Sequence, residues 1–141
     1  MLSACEAALP ADCFVSVAAV ADWRPTHAGN KKIKKDEDGI PPLTLEENPD
    51  ILKTLSSAKN RPHLVVGFAA ETNDVIEHAK VKLKKKKCDW IVANDVSGDV
   101  MGGDHNAMIL VTKGGADAWP RQTKAGAAQQ LALKIAHELS K

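Results

Sequence analysis

Apolar residues along the chain gather into short runs separated by polar clusters. Phe14 to Ala21 is apolar for eight positions and is bounded by turn signals, Pro10-Ala11-Asp12 before it and Asp22-Trp23-Arg24-Pro25 after it. Such a run predicts a strand buried on both faces, the signature of a parallel sheet. Leu64 to Ala70, Trp90 to Ala93 and Met108 to Val111 are three further strands of this kind. Residues 2–9 read as the end of a helix. A helix from about Val75 to Lys87 presents Ile76, Ala79 and Leu83 on one face, and a closing amphipathic helix runs from Lys124 to Leu139. Asn48-Pro49-Asp50 reads as a helix start, with Asn48 as cap and Pro49 at the first helical position. Gly114-Gly115 marks a turn, and Ala118-Trp119-Pro120 a short edge segment.

Strand, polar turn, helix, strand is the pattern of an open α/β fold. Three of the strands finish in polar clusters: Asp22-Trp23-Arg24, Glu71-Thr72-Asn73-Asp74 and Asn94-Asp95. In a parallel sheet those ends share one rim, where α/β folds bind ligands. Between Thr26 and Pro42 the composition turns polar, with Lys31, Lys32, Lys34 and Lys35 around Ile33 and then Asp36-Glu37-Asp38. This stretch predicts a protruding arm over residues 26–46, a two-stranded ribbon with Leu43-Thr44-Leu45 as its return strand. No glycine-rich turn precedes Phe14, so the phosphate loop of a doubly wound nucleotide-binding domain is not among these residues.

At 141 residues, 44% hydrophobic and 26% charged, the chain suits one globular domain. Its formal charge of +1 and the six lysines gathered between Lys80 and Lys87 argue for a local basic face rather than a nucleic-acid-binding protein, and the lack of Tyr leaves few rings for base stacking. No apolar run approaches a membrane span. Cys5, Cys13 and Cys88 have no Cys-x-x-Cys spacing, which fits a reducing, cytoplasmic setting. His27, His63, His78, His105 and His137 lack metal-ligand spacing. Within the lysine-rich stretch, most side chains read as a solvated helix face, and Lys82 as the one to fold over the rim toward polyphosphate. Met101-Gly102-Gly103-Asp104-His105-Asn106 reads either as a hairpin turn or as a ligand cradle.

Seven segments in order carry a resemblance: Ala18-Ala-Val-Ala-Asp-Trp-Arg-Pro25, Lys32-Ile-Lys-Lys35, Asn48-Pro-Asp-Ile-Leu52, Gly67-Phe-Ala-Ala-Glu-Thr72, Lys82-Leu83 with Asp89, Val92-Ala-Asn-Asp-Val96, and Met101 to Asn106. Together they resemble phosphopantothenoylcysteine synthetase of coenzyme A biosynthesis. The resemblance implies a Rossmann-like open, mostly parallel sheet and CTP-dependent ligation of 4′-phosphopantothenate to cysteine. The substrate carboxylate would attack the α-phosphate of CTP, releasing pyrophosphate, and the cysteine amine would then displace CMP. It implies CTP contacts at Gly67, Phe68, Ala69, Ala70, Asp74, Lys82, Met101, Gly102, Gly103, Asp104 and Lys124, with Lys82 as the catalytic lysine at the triphosphate. It implies phosphopantothenate contacts at Ala18, Ala19, Asp22 and Arg24. Mg²⁺ would arrive with the CTP phosphates, with Asp74 as its candidate protein ligand. The arm and Arg24 would pair two subunits in a homodimer.

The family's domain begins with further strands and a glycine-rich turn not found here, so the chain is expected to be the C-terminal part of a synthetase domain. FMN would enter only with an attached decarboxylase domain. The alternative is a catalytically incomplete nucleotide-binding and dimerisation module.

Overall fold

The computed structural model describes residues 1–27, 42–95 and 105–141. The lysines of the arm, Lys31, Lys32, Lys34 and Lys35, and the loop residues Met101, Gly102, Gly103 and Asp104 lie outside them. The chain divides into two compact units, Met1–Val17 with Ile51–Lys141, and Ala18–Asp50.

The first unit is an open α/β sheet. In chain order it holds α1 (Leu2–Ala7), β1 (Cys13–Ser16), α2 (Ile51–Ser56), β4 (Leu64–Glu71), α3 (Val75–Lys86), β5 (Trp90–Asp95), β6 (His105–Asn106), β7 (Met108–Thr112), β8 (Gly115–Ala118), β9 (Gln122–Thr123) and α4 (Lys124–Leu139). Five strands pair in the order β1-β4-β5-β7-β8. β1, β4 and β5 are parallel, while β7 runs against β5 and β8 against β7, so four of the five share a direction.

Side chains of β4 alternate as the pleat requires. Val65 and Ala69 join Leu52, Ala79, Leu83, Ile91 and Val111 in a core beneath α2 and α3. Leu64 and Val66 join Val92, Leu110, Trp119 and Leu131 on the face that α4 covers. Near-continuous burial of Leu64 to Gly67 and of Ile91 to Ala93 is what two covered faces produce.

The strand expected over Phe14–Ala21 is shorter: β1 stops at Ser16, opposite Gly67. It occupies an edge of the sheet among the described residues, and Val15 and Val17 are exposed at 38% and 62%. An apolar run alone does not distinguish an edge strand from a central one. Its polar sequel Asp22-Trp23-Arg24 therefore does not end a sheet strand. It belongs to the second unit, where β2 (Trp23–Pro25) pairs antiparallel with β3 (Leu45–Glu47), a ribbon whose return strand lies two residues later than the pattern predicts.

Asn48 is not a helix cap. Its Nδ2 donates to the Ala21 carbonyl at 2.8 Å and its Oδ1 accepts from Arg24 Nη1 at 3.1 Å, and α2 starts only at Ile51. His105-Asn106 pairs with β9 instead of turning directly into β7. Among the described residues no helix is long and apolar enough to cross a membrane.

Candidate functional site

The rim of the first unit is built where β4 and β5 end side by side, with Glu71 opposite Asp95 in the register. Because β1 stops opposite Gly67, the last four residues of β4 keep β5 as their neighbour and lose the other. This opens one flank of Phe68, Ala69 and Ala70. Lys82 fills part of it: its Nζ donates to the Phe68 carbonyl at 2.8 Å. The direction follows from helix geometry, since side chains on α3 lean toward the helix start, which here is the rim. Lys82 is half-buried, and among the described residues its bond is to a neutral carbonyl.

Gly67 serves the core. A Cβ there would sit 2.6 Å from Leu52 Cδ2 and 2.9 Å from Ile91 Cδ1, so the missing side chain lets α2 close on β4. By the alternation, Ala69 lies with Gly67 on the α3 face and is buried, while Phe68 and Ala70 take the α4 face, where Ala70 is exposed. The four residues expected at the nucleotide thus offer a common backbone but split their side chains between two faces.

The turn from β4 into α3 is closed by its own polar groups. Thr72 Oγ1 donates to Asn73 Oδ1 at 3.4 Å, and Asn73 Nδ2 donates to Asp74 Oδ2 at 3.3 Å. Asp74 holds a left-handed backbone with φ of 45°, a region where Asp is enriched among non-glycine residues. Its carboxylate is exposed and makes no capping bond to the helix. One turn on, His78 Nδ1 lies 3.2 Å from Glu71 Oε2 and ties α3 to the end of β4. Glu71 ends a strand and His78 lies in the helix, so no single periodicity in the sequence discloses the pair.

Across the sheet, Thr123 Oγ1 accepts from the Gly126 N–H at 3.1 Å and caps α4. Lys124, exposed at the start of that helix, stands at the same end of the sheet as Lys82 but on the opposite face. Two oxygens near this end have no partner among the described residues, Asn94 Oδ1 and Asn106 Oδ1, and Asn106 is 7% exposed. A two-residue strand leaves no periodic trace, so the sequence pattern does not place Asn106 in one.

Asp89, matched in the resemblance beside Lys82, lies at the other end of the sheet. It accepts from the Val65 N–H at 2.8 Å and pairs with Arg61. It pins β5 to β4 and faces no rim group.

Ala18, Ala19, Asp22 and Arg24 lie in the second unit. Arg24 is the cross-strand partner of Glu46, with Nε 2.7 Å from Oε1, and both are about half exposed. The Asp22 carbonyl accepts from the Asn48 N–H at 2.7 Å, and Ala18, Ala19 and Asp22 are exposed. The structure brings Phe68, Ala70, Asp74 and Lys82 to one rim, and groups the four other residues around the ribbon.

An open, mostly parallel α/β sheet with a lysine held at the carboxyl end of β4 has the layout of the doubly wound class, whose folds bind ligands at that end. The chain belongs to the family described as DNA/pantothenate metabolism flavoprotein C-terminal domain, whose sequence model matches residues 1–139. The coenzyme A biosynthesis bifunctional protein CoaBC of Vibrio vulnificus is 43% identical over 128 residues, covering 88% of this chain and 32% of that protein. Its counterpart in Haemophilus influenzae is 40% identical over 137 residues, covering 96% and 34%. The chain therefore spans about a third of the length of the curated relatives it matches. Among solved structures, the C-terminal domain of a CoaBC protein superposes with a TM-score of 0.74 at 33% identity, over 99% of this chain and 61% of that one. A mutant of Cab2 in complex with phosphopantothenate-cysteine superposes at 0.67 with 18% identity, over 91% and 44%, a likeness of fold.

Proposed function

We propose that the chain supplies the nucleotide-binding part, and some of the phosphopantothenate-binding part, of a ligase that joins 4′-phosphopantothenate to cysteine with CTP in coenzyme A biosynthesis. The observation that carries this reading is Lys82, half-buried, charged and held at the Phe68 carbonyl beside the open end of β4. Family membership and the CoaBC relatives support the pathway.

In this reading the substrate carboxylate attacks the α-phosphate of CTP, pyrophosphate leaves, and the cysteine amine then attacks the acyl carbon as CMP departs. Negative charge develops on phosphate oxygens in both steps, and a fixed ammonium in a partly water-excluded site is suited to stabilise it. Lys82 would exchange a neutral carbonyl for those oxygens. Backbone groups of Phe68 to Ala70 would face the nucleoside, with the small Ala70 allowing close approach, and Lys124 would add charge from the α4 side. Asp22 and Arg24 would contact phosphopantothenate, and the ribbon would pair two copies in a cytoplasmic homodimer.

Among the described residues no three His, Cys, Asp or Glu side chains gather for a metal. A magnesium ion carried by the triphosphate needs only one or two protein carboxylates, and Asp74 is an exposed carboxylate at the rim. Magnesium held there would neutralise phosphate charge. A catalytically incomplete nucleotide-binding and dimerisation module is the second reading.

Calorimetric titration with CTP and Mg²⁺, with ATP in parallel, tests the proposal. Saturable binding that prefers CTP and weakens in Lys82→Met supports it. A folded sample that binds neither nucleotide overturns it. A turnover assay with phosphopantothenate and cysteine then separates the two readings, and the chain alone is expected to bind CTP with little complete turnover.

A further inference from the structure

Three lysines among the described residues sit directly on a neighbouring carboxylate. Lys80 lies 2.7 Å from Glu77, Lys134 3.0 Å from Asp117 and Lys141 2.6 Å from Glu138. Lys82 departs from that pattern. Its Nζ rests on the neutral Phe68 carbonyl at 2.8 Å, although Glu71 follows only three residues later on the same strand.

Glu71 carries its carboxylate to α3, where Oε2 meets His78 Nδ1 at 3.2 Å. His78 stands one helical turn before Lys82, and residues four apart on a helix have their Cβ atoms about 5–6 Å from one another. A lysine stem spans that gap, and on α3 it leans toward the helix start, in the direction of Glu71. An ammonium gains more from a carboxylate than from a carbonyl, so Glu71 competes with Phe68 for Lys82. The competition is settled by prior occupancy. A carboxylate only accepts, so Nδ1 carries the proton of this contact and the imidazole holds Glu71. The other carboxylate of the turn, Asp74, is engaged as well, by Asn73 Nδ2 at 3.3 Å.

We infer that His78 is a positioning residue for Lys82. By occupying Glu71 it leaves the ammonium on a neutral carbonyl, from which an incoming phosphate can take it. Without the imidazole, Glu71 draws Lys82 into an ion pair that a ligand must first break. The inference rests on the reading of Lys82 as a nucleotide contact and names the residue that keeps it available.

The test uses the full 141-residue chain and two readouts. The first needs no nucleotide: the carbonyl carbon signal of Phe68 in nuclear magnetic resonance. Lys82→Met gives the position of the unbonded carbonyl, and His78→Leu is expected to move the signal toward it. Adding Glu71→Gln to His78→Leu should return it to the parent position. The second readout is calorimetric affinity for CTP with Mg²⁺. His78→Leu should weaken binding about fivefold, the upper range for a partly exposed ion pair that has to be broken. Glu71→Gln added to it should restore the parent affinity. His78→Gln, whose amide still donates to Glu71, should bind like the parent. In a Lys82→Met background His78→Leu should change nothing further. The His78 side chain is 46% exposed, so its replacement leaves the core intact, and the urea midpoint checks this.

A Phe68 signal that ignores His78→Leu overturns the inference, whatever the nucleotide does. So does a loss of affinity that Glu71→Gln fails to restore, or one that persists without Lys82, because the ring then acts on the ligand or the fold directly. If the parent chain binds no CTP, the nucleotide reading falls, and the Phe68 signal alone decides whether His78 keeps Lys82 in place.

Discussion

Lys82 sits eight positions into the helix that starts at the rim, and its stem crosses back to the fifth residue of β4. Its contribution is to a ligand more than to the fold, since a half-exposed ammonium on a neutral carbonyl adds little stability. Lys82→Met is therefore expected to lower CTP affinity by about 10–100-fold, the range of a charge-assisted bond, while the urea midpoint barely moves. Isothermal titration beside equilibrium unfolding checks both halves. Cys88 is a contrasting case. Buried at 1% exposure, its thiol is pushed up to about 11, first by desolvation and then by the Asp89 charge, with Lys82 and Arg61 acting the other way. The folded value lies above the unfolded one, so the associated stability is complete below about pH 9 and is lost as pH rises through about 11. Unfolding free energy should fall on the order of 2 kcal/mol more over that window in the parent than in Cys88→Ala. Alkylation at pH 8 should reach Cys5 well before Cys88, as mass spectrometry of the labelled chain would read.

At the level of elements, both ends of α3 carry left-handed residues that are not glycine, Asp74 at φ 45° and Lys87 at φ 57°. Lys87 closes the helix with its N–H donating to the Lys84 carbonyl, the position that glycine usually takes. Lys87→Gly is expected to stabilise the chain by about 0.5–1 kcal/mol, measured as a higher urea midpoint. Gly67→Ala should act in the opposite direction. It would push on Leu52 and Ile91 and cost about 1–3 kcal/mol, the range for overpacking a filled core. The limits of α4, Lys124 and Leu139, were legible in the sequence because cap, periodicity and length agree there. Those of β1 were not, since hydrophobicity reports that a strand is buried somewhere and not how many neighbours it has. Asn48 misled for a related reason: the side chain that suits a cap also suits two loop partners, and Ala21 and Arg24 lie far from it in sequence.

For the molecule as a whole, fold class and the rim of β4 and β5 could be read from strand ends and intervening helices, because those depend on local order. The reversal at β7 could not, because direction depends on a connection through residues whose pattern also fits a crossover. Nor could the division into two units. The cluster Asp22-Trp23-Arg24 looks like a strand terminus in one dimension and proves to be half of a separate ribbon.

The placement of that ribbon has a kinetic side. β5, β7 and β8 lie close along the chain, with only the two-residue β6 among the strands between them, and can zip together as neighbours. β1 can reach β4 only after everything from Val17 to His63 has been looped out, the second unit included. Loop closure is paid before that pairing returns anything, and only four residues return it. β1 is therefore expected to be the last strand to join during folding and the first to leave during partial opening. Its departure would extend the open flank of β4, beside Lys82, back from Phe68 to Leu64 while the rest of the sheet stays closed.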